Sequence, residues 1–341
     1  MDMRLTMVFT LILLMLIFGG VCWIFAEVPR TPKILFTSTR DGNREIYMMN
    51  PDGSEQVNLT QHPADDLGAV WSPTGEEILF VSDRQGTRVR DLYLMDADGS
   101  NVRRVFKRKI RAWRGSATWS PDGKRFVYWS ADRDRLKFGL YLGTFGEEDA
   151  EPLPYGRSPA WSPDGSEIAC SVPHQFGARL TFINVDTLEK EQPLPDKALR
   201  RQYEPSWSAT GDRLAISGNK HPLPVILERE LHDAWATKDT VFIVNRDGTG
   251  LRQLVEEAGP AAVTSALSPD GSQVLYTQET NGHTQIFKID VNSGIRTQLT
   301  HIGGPFRRTN YGGDWFDPAY ALPVSPQPDL LSTTWGELKK E

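Results

Sequence analysis

The sequence predicts an all-β fold: a six-bladed β-propeller of four-stranded antiparallel blades, with its ring closed by the C-terminal strand. Three observations carry this. Trp-Ser-Pro stands at Trp71, Trp119 and Trp161, followed by Trp-Ser-Ala at Trp207, Leu-Ser-Pro at Leu267 and Trp-Phe-Asp-Pro at Trp315. These markers are 48, 42, 46, 60 and 48 residues apart, and a period of roughly 40–50 residues with strand-like content is the mark of propeller blades. An aromatic recurs at Tyr47, Tyr93, Tyr141, Phe182, Phe242 and Phe287, and an apolar residue at Leu59, Val105, Leu153, Leu194, Leu254 and Leu299. Six rings in equivalent places read as blade-to-blade packing.

The unit at Trp71 shows how each element arises. Trp71-Ser72-Pro73-Thr74-Gly75 ends a first strand in a turn, with proline presetting φ and glycine supplying a positive φ. Ile78-Leu79-Phe80-Val81 is a short apolar run that reads as a second strand buried on both faces. The polar loop Ser82 to Asp91 leads to a third strand, Leu92 to Met95. Asp96-Ala97-Asp98-Gly99 is a hairpin turn, and an outer strand follows around Val102 to Phe106. At the chain ends, Lys33 to Thr60 carries second, third and fourth strands without a first. Asn310 to Ala321 supplies an isolated first strand. Pairing the two closes the ring and removes two open sheet edges.

The string Ile34-Leu35-Phe36-Thr37-Ser38-Thr39-Arg40-Asp41-Gly42-Asn43-Arg44-Glu45-Ile46-Tyr47, like Trp119-Ser120-Pro121-Asp122-Gly123-Lys124, resembles the WD-like repeat of TolB-type propellers. The resemblance covers residues 33 to about 321. It implies the fold and a general binding role. The scaffold also hosts partner-binding periplasmic proteins, peptidase gating domains and polysaccharide lyases. TolB itself carries an α/β domain ahead of its propeller, whereas about thirty residues precede the first strand here.

Three segments are expected. Residues 1–26 form a signal peptide or an N-terminal membrane anchor, 27–322 the propeller, and 323–341 a tail. The first is apolar from Leu5 to Ala26, interrupted by Thr6, Thr10, Gly19 and Gly20. About 22 residues suffice to span a bilayer, and Ala26 also fits a cleavage position. Both readings put the propeller outside the cytoplasm, periplasmic, secreted or anchored, with membrane association through residues 5–26 if uncleaved. Cys22 lies in this segment, and Cys170, within Ile168 to Val172, reads as a small buried strand residue. The two cysteines give no disulfide framework. In the tail, Thr334-Trp335-Gly336-Glu337 has capping-box spacing for a short helix.

A net charge of −6 argues against nucleic acid as a partner. No His-Glu-x-x-His, Gly-x-Ser-x-Gly, phosphate-loop or dinucleotide pattern occurs, and no cofactor is implied. Asp96 to Gly99 lacks the downstream glutamate of a calcium loop and fits turn chemistry. His62 and His301, on adjacent blade crossings, are the one histidine pair worth testing as metal ligands.

Function is expected where the loops vary. One face carries uniform Ser-Pro-Asp-Gly and Asp-Gly turns. The opposite face carries the second-to-third loops and the blade crossings. Trp207 to Phe242 spans 35 residues where other blades use 20 to 22. The excess, Asn219 to Asp239, places Leu227, Leu231 and Trp235 at i, i+4 and i+8 of a short helix. That helix either covers the blade or forms a lid beside the axial mouth. Ahead of the inner strands stand Trp113 and Arg114, Tyr155 and Arg157, Arg201 and Tyr203, and Arg307 and Arg308 with Tyr311. Asp65 and Asp66 break the trend. Guanidinium forks beside aromatic rings suit carboxylates and acidic sugars. The function read from these features is non-catalytic binding or scaffolding of a protein partner, an acidic oligosaccharide or a peptide carboxylate. The alternatives are a metal-dependent lyase or hydrolase acting on acidic carbohydrate, and a regulatory propeller related to peptidase gating domains.

Overall fold

In the computed structural model, the described residues run from 28 to 323, apart from 87–88, 109–111, 133–136, 176, 196 and 225–228. The apolar N-terminal segment and the capping-box tail lie outside them. Every complete marker makes one turn: Ser72 N–H donates to Glu77 O at 2.8 Å and Gly75 N–H to Ser72 O at 2.9 Å, and the same pair recurs from Ser120, Ser162, Ser208 and Ser268. Gly75 is required twice over, because its φ is 75° and a Cβ there would sit 2.2 Å from the Phe316 ring.

Six four-stranded antiparallel sheets result. Blade 1 is built from both chain ends: Asn310–Phe316 pairs with Lys33–Ser38, followed by Glu45–Met49 and Val57–Asn58. Its register sets Lys33 against Phe316 and Ser38 against Asn310, and Ser38 Oγ donates to Asn310 Oδ1 at 2.8 Å. The inner strands of blades 2 to 6 are Asp66–Trp71, Trp113–Trp119, Arg157–Trp161, Arg201–Trp207 and Ala262–Leu267. Closure by the C-terminal strand is thus present as the sequence predicts.

The second strands are buried on both faces, as the run Ile78 to Val81 shows. The core lies between blades. Leu35, Ile46 and Phe316 of blade 1 pack with Trp71, Phe80 and Tyr93 of blade 2 in one cluster. Of the six third-strand aromatics, five are fully buried and Tyr141 is half-buried. Fourth strands are shorter than expected. In blade 2 only Arg103–Arg104 pairs, instead of Val102 to Phe106. At the outer rim a strand has a partner on one side alone, and the chain must soon turn inward. The hairpins before these strands tuck against the preceding blade: Gly99, at φ 87°, has Leu59 O only 2.4 Å from where a Cβ would stand.

One feature repeats in all six inner strands. Three residues before each marker, Gly68, Ser116, Ser158, Glu204, Thr264 and Gly312 all adopt positive φ, between 46° and 70°. The strand register shifts at each of these places. This is a β-bulge, which bends the strand at the axis. Four of the six are not glycine, and an αL residue with a side chain costs of order 1 kcal/mol or more. At two of the four, a bond from the preceding blade offsets this: Glu204 N–H donates to Ser171 Oγ at 3.2 Å and Thr264 N–H to Glu204 Oε2 at 2.9 Å. The glycine bulges are held likewise, Gly68 N–H by Thr37 Oγ1 and Gly312 N–H by Thr277 Oγ1. The bulged residues and the small ones after them (Ala69, Ala117, Pro159, Pro205, Ser265, Gly313) line a narrow axial channel.

Candidate binding site on the variable face

Where blades 4 and 5 meet on the variable face, a cleft of about 610 Å³ opens beside the channel. Its walls include Arg157, His174, Arg201, Tyr203, Glu204 and Trp235. The long loop provides one wall through helix α1, Arg229–Ala236. Glu230 in its first turn complements the helix dipole. Thr237, Lys238 and Asp239 N–H groups cap its last carbonyls, Asp233, Trp235 and Ala236. The expected apolar stripe divides. Trp235 is 7% exposed while Leu231 is 45% exposed, and Leu227 lies outside the described residues. Trp235 is fixed by its indole N–H, which donates to His221 O at 2.9 Å, and by Asn219, whose amide donates to Trp235 O at 2.8 Å.

Asp239, at the end of the loop, organises the cleft. It accepts from Arg201 Nη1 at 2.7 Å, from the Tyr203 hydroxyl at 2.7 Å and from Asn219 Nδ2 at 2.9 Å. Burial raises its carboxyl above the usual range, and the Arg201 charge opposes that shift. Burial and the Asp239 charge together push the Tyr203 hydroxyl upward, so it remains a donor. The Arg201 guanidinium also stacks 4.2 Å from the Tyr203 ring centroid and 5.7 Å from Trp235.

Glu204 is the charged member of the bulge ring. Its Oε2 accepts from Thr264 N–H at 2.9 Å and Ser217 Oγ at 3.2 Å. The surface left to it opens on the channel and cleft rather than on bulk water. Burial raises its carboxyl accordingly, with Thr264, Ser217, Arg308 and Arg201 acting in the opposite direction.

The sequence-singled arginines and aromatics separate into three groups. Arg157, Arg201 and Tyr203 share the cleft, and Arg157 Nε donates to the half-exposed Tyr155 hydroxyl at 3.3 Å. Arg308 stacks 4.0 Å from the Tyr311 ring and is close enough to Glu204 to act on its carboxyl. Arg307 projects into solvent and pairs with Glu279 at 2.6 Å, and Tyr311 is buried, accepting from Arg44 Nε at 3.0 Å. Arg114 is not at an open mouth. It is 6% exposed, its Nη1 binds Asp91 at 2.8 Å, and it lies 3.8 Å from the Phe106 ring centroid. Its charge is committed to the blade 2–3 junction, while its neighbour Trp113 is exposed. Asp65 and Asp66, the acidic exceptions, hold Arg44 and Arg84.

Among the described residues no group of three or more His, Cys, Asp or Glu side chains is placed to hold a metal ion. His62 Nδ1 accepts from Ala64 N–H at 3.0 Å, and His301 is exposed. Cys170 is fully buried, and burial pushes its thiol up to about 12. Sequence reasoning missed Glu204 and His174. Aligning the six inner strands at their markers would have shown Glu204 as the one acid in a column of glycine, serine and threonine.

The fold and channel define a closed six-bladed β-propeller with a variable-loop face. The chain belongs to the TolB β-propeller family, whose model, described as the TolB beta propeller domain, matches residues 17–211. An uncharacterised protein of Agrobacterium fabrum is 36% identical over 104 residues, 28% of this chain and 35% of that protein. A TolB homologue of Chlorobium luteolum is 28% identical over 160 residues, 44% of this chain and 34% of that protein. The chain therefore spans about a third of the length of these curated relatives. Among solved structures, TolB from Acinetobacter baumannii superposes with a TM-score of 0.68 at 14% identity, over 83% of this chain and 66% of that one. No helix among the described residues is long and apolar enough to cross a membrane.

Proposed function

We propose that this propeller is an extracytoplasmic, non-catalytic binding module whose variable face receives a protein segment bearing carboxylates. The observation that carries the reading is the state of its arginines. In a chain of net charge −6, Arg157 and Arg308 are both exposed. No carboxylate among the described residues lies within ion-pair reach of either. Arg201, by contrast, is held by Asp239 and shapes the cleft. Trp235 and Tyr203 supply apolar walls for a segment lying across the cleft, and Arg157 supplies an anion contact within it. The extracytoplasmic setting rests on the apolar stretch Leu5 to Ala26 and on the kinship with TolB proteins.

The test is binding of a Glu/Asp-rich extended peptide, its amide counterpart and an acidic oligosaccharide, followed by calorimetry. Arg157→Ala and Arg308→Ala should each weaken the acidic peptide by about 1 kcal/mol, the scale of an exposed charge-assisted contact. The effect should shrink with added salt. Equal affinity for the acidic and amide peptides removes the reading. Preference for the oligosaccharide moves the partner to carbohydrate, and turnover of it would make the protein an enzyme.

A further inference from the structure

The axial channel ends on the short-turn face in a funnel of about 390 Å³. Its wall is formed by the repeat markers and the turns that follow them, including Trp71, Pro73, Trp207, Pro269, Trp315 and Tyr320. Asp314 lines this funnel, and among the described residues no lysine, arginine or histidine does.

Asp314 precedes its marker, where the other blades carry Val70, Thr118, Ala160, Ser206 and Ala266. In three of the six blades this side chain fastens the next one. Thr118 Oγ1 accepts from Trp161 N–H at 3.3 Å, Ser206 Oγ from Leu267 N–H at 3.0 Å and Asp314 Oδ2 from Trp71 N–H at 2.7 Å. A hydroxyl thus suffices for the structural bond, and the charge at position 314 is surplus to it. Backbone N–H groups of Trp71 and Trp315 are its partners, and no cation among the described residues pairs with it. Its remaining accessible surface opens on the funnel, and burial raises the carboxyl to about 7. Asp317 and Tyr320, further along the chain, are the other titratable groups in the lining.

The geometry points to a second binding site: the funnel on the short-turn face takes a primary alkylammonium, the side chain of a lysine on a partner protein, with Asp314 pairing the ammonium and the indole and proline wall covering the methylenes. Asp314 and Asp317 are the two carboxylates of the lining, and the oxygens beside them are the neutral hydroxyls of Ser72, Thr118, Ser206 and Ser208, a poorer set than the several charged oxygens that hold a hard divalent cation. The recess does offer what an amphipathic chain with one cationic tip needs. The site is on the face opposite the arginine cleft and is independent of it.

The full-length protein is titrated with n-pentylamine, n-pentanol and pentanoate, read by tryptophan fluorescence and calorimetry. Pentylamine should bind saturably and more tightly than the alcohol or the acid. Asp314→Ser keeps an oxygen for the Trp71 N–H, as Thr118 and Ser206 do in their blades. It should leave the melting temperature close to wild type while weakening pentylamine roughly tenfold or more, the scale of losing a charge-assisted bond. Asp314→Asn provides the same comparison should the serine variant fold poorly. Affinity for the amine should rise between pH 6 and 8 as the carboxyl ionises, because the amine itself stays protonated to about 10. Arg157→Ala should leave it unchanged. Equal binding of amine and alcohol, wild-type amine affinity in both Asp314 variants, or displacement of the amine by stoichiometric calcium would overturn the proposal.

Discussion

On the short-turn face, five markers repeat the same two backbone bonds at 2.8–3.0 Å, and Ser120, Ser162 and Ser268 hydroxyls each donate to the aspartate two residues on. On the variable face the bonds differ more from blade to blade, although Arg40 and Arg84 bind the inner strands of blades 1 and 2 in the same way. Blade 5 is organised by Asp239 and a helix, blade 2 by the burial of Asp91 between Arg104 and Arg114, and blade 1 by Glu45 accepting from Asn43 and from His62 N–H. The repeated face is architecture, and each of these turn bonds recurs at four other markers. The irregular face also holds charges in arrangements used once, such as Asp239 with Arg201 and Asp91 with Arg114, which is how a surface comes to distinguish partners. Asp314 is informative for the converse reason: it is an exception on the regular side.

The sharpest way to break this comparison is at the seam. Deleting residues 310–341 removes the inner strand of blade 1, including buried Tyr311 and Phe316. Loss of one large buried aromatic costs about 3–5 kcal/mol against a total stability of roughly 5–15 kcal/mol, so no cooperative thermal transition should survive. A truncated protein that melts as wild type does would show that the ring does not depend on its seam. A smaller effect belongs to the irregular face. Asp239→Ala strands Arg201, Tyr203 and Asn219, and should cost about 2 kcal/mol in urea unfolding, lowered from the fully buried case because Arg201 is about a third exposed. Asp239→Asn, which keeps an acceptor, should recover part of it. If both are neutral, the cleft is not prebuilt by this carboxylate. Smallest is His62→Ala with His301→Ala. One turn bond is lost at His62 and none at His301, so stability should change by less than about 1 kcal/mol. Divalent metal content, measured by mass spectrometry, should not change. Stoichiometric metal lost in the double variant would give the irregular face a catalytic reading.

The ring, the blade boundaries and the shared seam were legible because they follow from a period and from turn residues with fixed backbone demands, as at Trp71 to Gly75. The bulges were not. Ser116, Ser158, Glu204 and Thr264 adopt a conformation that sequence assigns to glycine, and at Glu204 and Thr264 bonds from the neighbouring blade, distant in sequence, support it. Arg157, Arg201 and Tyr203 were legible as a group because they fall four to six residues ahead of the markers of adjacent blades. Arg114 falls in the same window, five residues ahead of its marker, yet Asp91, a strand away and 23 residues earlier, withdraws it from the surface. Helix α1 was visible in the length of its loop, but which residue faces inward was decided by His221 and Asn219, which bind Trp235 and leave Leu231 outside.

The seam also orders events in time. Ser38 meets Asn310 across 272 residues of chain, so the strands made first lack their inner partner until the strand made last has emerged. Contacts this distant in sequence slow folding, because the loop must close before its pairing is rewarded. Until that strand arrives, Lys33 to Ser38 presents one unpaired sheet edge. A ring whose first blade is completed only when Asn310–Phe316 docks keeps that blade's inner edge available for pairing until then.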